Sequence, residues 1–210
     1  MNKTVKMILV GVLLLAGSPA SRAGGTHFLV EPYTGMAFNL GYSSENAFGL
    51  ESGAVLAVGG KFKGFPPRFY AYFRASQAFF GEDDVYVSSR AANVSVCREV
   101  RALMGGVRVV IPLWWELRLY LEVGGGQLFT DSHYREPGYS FGYSEKFGAV
   151  ELGTGLNLRL FRWLSLGLVI DYTFVAEPEH GDLIATVLGE ADRGSQPGWL
   201  RTVATLGLHF

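Results

Sequence analysis

Apolar and polar residues alternate along much of this chain. Over 115–128 one parity reads Leu117, Leu119, Leu121 and Val123, and the other reads Glu116, Arg118, Tyr120, Glu122, Gly124 and Gly126. A period of two marks a strand with one apolar and one polar face. Over 146–160, Val150, Leu152, Leu156, Leu158 and Leu160 oppose Glu151, Gly153, Gly155, Asn157 and Arg159. Over 163–175, Leu164, Leu166, Leu168, Ile170, Tyr172 and Phe174 oppose Ser165, Gly167, Asp171 and Thr173. Weaker alternation predicts strands over 27–40, 50–62, 68–80 and 94–111, and a last strand over 198–210 sets Leu200, Ala204, Leu206, Leu208 and Phe210 on one side. The chain therefore reads as all-β, with eight antiparallel strands in up-and-down order.

The connections between these strands alternate in length. Long ones at 41–49, 81–93, 129–145 and 177–197 are separated by short ones at 63–67, 112–114 and 161–162. Long loops at one end and tight turns at the other are the plan of a membrane-spanning barrel. Aromatic residues fall at two levels that suit interfacial girdles: Phe65, Trp114, Trp115, Phe161, Trp163 and Phe210 at the turn end, and Phe38, Phe79, Phe80, Phe129, Phe174 and Trp199 near the loop end. The leucine faces are then expected to meet lipid, and the polar faces to fill a lumen only wide enough for side chains. Glycines assigned to the polar face (Gly35, Gly53, Gly105, Gly124, Gly126, Gly153, Gly155, Gly167 and Gly207) would make room there for long charged side chains. A water-soluble barrel with its leucines inward would have no use for so many inward charges.

The first 23 residues have a different character. Lys3 and Lys6 precede the apolar run MILVGVLLLA (7–16), and Ser21 and Ala23 frame a cleavage site, which reads as a secretory signal peptide over 1–23 with a barrel domain over 24–210; Ala20 is the other candidate site. The run is too short to span a bilayer as a helix. Without it, 15 basic residues face 19 acidic ones, so nothing supports a nucleic-acid partner. A single cysteine, Cys97, excludes an internal disulfide framework. It shares the parity of Glu99 and Arg101 and is expected in the lumen or at its rim. No cofactor or metal signature is present.

Counted from the turn end, Arg74, Arg101, Glu122, Glu151, Asp171 and Arg201 lie near one level, which predicts a lumen ion-pair network that plugs the barrel. Glu31, Arg118 and Arg159 are expected below it. Together, the signal segment, the eight alternating strands, the loop plan and the final TVATLGLHF resemble the small outer-membrane β-barrels of Gram-negative bacteria, the OmpA-barrel and OmpX kind. The resemblance implies an outer-membrane location with long loops extracellular and termini periplasmic. It also implies lipid and lipopolysaccharide contact, a monomer, and recognition of Leu206, Leu208 and Phe210 by the barrel-assembly machinery.

The leading functional expectation is a non-enzymatic barrel acting through its surface loops in envelope integrity, adhesion or lipopolysaccharide contact. A narrow gated channel, with Arg74, Glu122, Glu151, Asp171 and Arg201 as its gate, is the first alternative. A lipid-modifying enzyme is the second. Its candidates would be His133 beside Asp131 and Ser132, and His180 between Glu179 and Asp182, yet adjacent Ser132 and His133 should point to opposite sides of an extended chain. The acidic loop 177–197, with Glu177, Glu179, Asp182, Glu190 and Asp192, reads as solvated surface.

Overall fold

A computed structural model describes residues 26–39, 48–61, 66–87, 92–136, 138–175 and 198–210. The signal segment, Phe65, His180 and the acidic loop 177–197 lie outside them. The strands are β1 (Thr26–Asn39), β2 (Phe48–Lys61), β3 (Arg68–Val87), β4 (Ala92–Pro112), β5 (Leu117–Glu136), β6 (Tyr139–Arg159), β7 (Leu164–Val175) and β8 (Trp199–His209). Every neighbouring pair is antiparallel, and β1 pairs with β8, so the sheet closes on itself. The expected eight-stranded up-and-down barrel is the fold observed.

Alternation turns one side chain in two outward. The outward set includes Leu121, Leu152, Leu156, Leu168 and Ile170, all about half exposed, while Glu31, Glu151 and Arg108 on the inner face are at most 1% exposed. Apolar outside and charged inside is the polarity of a barrel built for a bilayer. At the turn end Trp114, Trp115, Phe161, Trp163 and Phe210 form an exposed aromatic collar. Near the loop end Phe79 and Phe174 face outward as expected. Phe80 and Trp199, expected in that girdle, instead point inward and are buried with ring centroids 6.1 Å apart.

Strand length departs from the sequence reading. A tilted spanning strand needs about 9–11 residues, yet β3–β6 have 20 or 21 each. Residues 83–87, 92–93, 129–136 and 139–145, expected within loops, continue the ladders. The reason lies in the environment of each face. Beyond the bilayer the outward side meets water and the inward side meets the opposite wall, so polarity inverts along the same strand. On β4, β5 and β6 the inward positions become Val96, Val100, Leu128 and Phe147, while Glu99, Arg101, Asp131 and Lys146 turn outward. Of these, Val100, Leu128 and Phe147 form an apolar core with Ala78, Phe80 and Trp199. An alternation that changes phase looks, in sequence, like an alternation that stops.

Candidate functional site

Below this upper core, interleaved with a second apolar cluster that contains Leu29, Val55, Val169 and the tyrosines 33, 72 and 120, the lumen holds two neighbouring ion clusters. In the first, Arg201 on β8 donates from Nε to both carboxylate oxygens of Asp171 at 2.9 Å. Its Nη1 donates to Tyr33 Oη at 2.7 Å and to Glu51 Oε1 at 2.9 Å. Arg74 pairs with Glu151 and lies 3.5 Å from Asp171, and Tyr72 donates its hydroxyl to Glu151. In the second, Arg108 pairs with Glu31 and approaches Glu122 at 2.6 Å, and Tyr120 donates to Glu31 at 3.0 Å. The Arg108 guanidinium lies 4.5 Å from the Tyr120 ring centre, and that of Arg201 lies 4.9 Å from Tyr33.

Every member is buried. An unpaired ion in such surroundings costs several kcal/mol, which is why each arginine meets at least two carboxylates. The strands aim these groups inward because each occupies the same parity as its neighbours on the inner wall. Glycines give the tyrosines room: a Cβ on Gly53 would stand 2.6 Å from Tyr33 Oη, and one on Gly124 would stand 2.3 Å from Tyr72 Oη. Among Glu51, Arg74, Ser76 and Arg201 a void of about 10 Å³ remains. That space holds no more than one water.

Of the six residues expected in this network, Arg74, Glu122, Glu151, Asp171 and Arg201 are there. Arg101 is not. It faces outward on the β4 extension, half exposed, and pairs with Asp131 and, at 3.6 Å, with Glu99. Cys97, expected in the lumen or at the rim, faces outward with it and is exposed. Gly105 also faces outward, and Gly106 takes its place inside. All three share one cause: apart from Arg108, both faces of the membrane half of β4 are apolar, so alternation alone leaves its parity open. A signal was present. Arg108 is the only charged residue over 102–111, so it alone must turn away from lipid, and Arg101 lies an odd number of positions from it. Glu51 and the tyrosines 33, 72 and 120 were also missed as plug residues. Glu31 sits below the first cluster as expected, yet belongs to the plug through Arg108.

Ser132 and His133 stand on opposite faces. Ser132 is buried and accepts from Arg98 Nε at 3.1 Å, while His133 is exposed. The terminal strand turns Leu206, Leu208 and Phe210 outward, and Phe210 is held to Phe28 by reciprocal backbone bonds of 2.9 and 3.2 Å.

A closed eight-stranded barrel with an apolar exterior, an aromatic collar and a charge-filled lumen has the fold of the small outer-membrane β-barrels. No protein-family model matches the chain, and no curated protein matches it in sequence. Solved structures do resemble it. A major outer membrane protein from Thermus thermophilus superposes with a TM-score of 0.63 at 13% identity, over 89% of this chain and 100% of that one. Ail, the attachment invasion locus protein of Yersinia pestis, does so with a TM-score of 0.51 at 13% identity, over 89% and 99%.

Proposed function

We propose that this chain is an exported, monomeric, non-enzymatic barrel of a Gram-negative outer membrane, plugged by its lumen charges and working through the β3–β6 extension at the cell surface. In this reading the turn end and both termini face the periplasm, and Leu206, Leu208 and Phe210 are the assembly signal. The contact is with lipopolysaccharide. The observation that carries it is a row across three strands: Arg101 pairs in register with Phe129, and Phe129 with Lys146. The Lys146 ammonium lies 5.9 Å from the Phe129 ring centre. All three face outward, above the lipid-facing Leu103 and Val150 and below Asp131 and Ser144. Cations beside an aromatic ring at the edge of the hydrocarbon suit a phosphorylated glycolipid.

Cys97 tests the orientation directly. It is the only cysteine, it is exposed, and it lies on the extension, so a membrane-impermeant maleimide should label it on intact cells. Labelling that appears only after the outer membrane is breached would reverse the orientation. For the contact itself, the R101A/K146A double variant should retain less lipopolysaccharide on purification in mild detergent. Retention equal to the parent would remove that contact.

A further inference from the structure

At the turn end the inner wall is basic. His27 on β1, Lys61 on β2, Arg68 on β3, Arg118 on β5, Arg159 on β6 and His209 on β8 all occupy inward parity at the last tier of their strands. Arg118 lies within electrostatic reach of Arg68 and Arg159, and all three arginines lie within reach of both histidines. Among the described residues none of the six forms an ion pair with a carboxylate. Arg159 donates to the Phe161 and Arg162 carbonyls instead, and Glu31, the nearest plug acid, is taken by Arg108 and Tyr120. The floor of this mouth is polar. Asn157 Nδ2 donates to Ser165 Oγ at 3.0 Å, and Ser165 Oγ lies 2.8 Å from His209 Nε2. Beside them two buried polar atoms have no hydrogen-bond partner, the Asn157 amide oxygen and the hydroxyl of Thr205, a residue only 5% exposed. The Thr205 hydroxyl projects over Gly167, with Oγ1 2.5 Å from where a Cβ there would stand.

Lys61, Arg68, Arg118 and Arg159, like charges gathered from four strands, repel one another unless an anion sits between them. A buried hydroxyl without a partner is a donor awaiting an oxygen. We propose that the turn-end mouth is a binding site for a phosphoryl oxyanion, with Arg68, Arg118 and Arg159 as charged donors and Thr205 at its floor. Guanidinium groups converging from separate strands match a tetrahedral oxyanion, which offers several acceptors in different directions. The phosphate could arrive on a phospholipid headgroup, since the aromatic collar puts the mouth at headgroup depth, or free from solution.

The test uses the full mature chain folded in zwitterionic detergent and titrated calorimetrically with inorganic pyrophosphate. Saturable one-to-one binding is expected. It should weaken by about tenfold or more in R68Q/R118Q, since each lost charged hydrogen bond is worth about that factor. Arg135→Gln, on the exposed part of β5 at the other end, should bind like the parent. A mobility shift on boiling in SDS reports that each variant is folded; if R68Q/R118Q does not fold, Thr205→Val serves, with a several-fold loss expected. A second arm counts phosphatidylglycerol retained from phosphatidylcholine nanodiscs by native mass spectrometry. Retention that pyrophosphate displaces and R68Q/R118Q abolishes assigns the site to a lipid headgroup. Pyrophosphate binding without retention assigns it to soluble phosphate. Absence of both, or binding indifferent to R68Q/R118Q and to Thr205→Val, overturns the site. The detergent arm is indifferent to which end faces the cell surface, so its failure leaves the proposed orientation untouched.

Discussion

Arg201 and Arg101 are the same residue type, and the structure gives them opposite energetic weight. Arg201 is buried against Asp171, Glu51 and Tyr33, so Arg201→Ala takes the guanidinium away from two buried carboxylates. Chemical denaturation in detergent should show a loss of about 3–5 kcal/mol, the usual penalty for breaking a buried pair from one side. Arg101 is solvated, and Arg101→Ala should cost no more than about 1 kcal/mol. Asp131, its partner, has its carboxyl held below the ordinary carboxylate value, first by the hydroxyl of Ser144, against the opposing effect of burial, and then by Arg101. A depressed carboxylate contributes stability that is full above its unfolded pKa of about 3.9 and is lost as pH falls through the lower folded value. Ser144→Ala should therefore move the Asp131 titration upward in a carboxyl-carbon NMR experiment and shrink the stability difference between pH 5 and pH 3. At this scale the sequence was legible where a charge lay opposite an unbroken leucine face, as at Glu122, Glu151 and Asp171. It was illegible on β4, where valines and alanines line both faces and the parity has to be counted from Arg108.

The elements divide into two groups. β1, β2, β7 and β8 stop within 11–14 residues, and β3–β6 climb well past the bilayer as one four-stranded sheet. The number, order and turn-end limits of the strands were readable because the lipid-facing side tolerates only apolar residues. The upper limits were not, because above the membrane the apolar side becomes the inner one, and 129–145 lost its outward leucines without losing its ladder. The ladder permits a clean excision. Ser132 and Tyr143 are paired across β5 and β6, so replacing 133–142 with Asn-Gly joins them by a two-residue turn that matches strand twist. The shortened protein should still fold and should keep its shift on boiling in SDS. Failure to fold would mean that the hairpin tip supports the spanning barrel.

At the level of the plug the space left among the described side chains holds no more than one water, and planar bilayers containing the protein should stay at baseline conductance. Asp171→Ala should stay there too, since Arg201 keeps Glu51 and Arg74 keeps Glu151. Stable openings in that variant would turn the plug into a gate. The same plug bears on how the barrel closes. The seam between β1 and β8 joins the two ends of the chain, and sliding it by two residues would preserve every inward and outward parity, so hydrophobic patterning alone does not reject the slipped form. Arg201 does reject it. Its partners Tyr33 and Glu51 lie on the first two strands, 168 and 150 residues away in sequence, and a two-residue slip carries its guanidinium about 7 Å along the wall, beyond reach of both. The charge cluster thus proofreads the seam: only one registry of the last strand neutralises the lumen, and a barrel zipped one notch out of step is left with bare ions that reopen it.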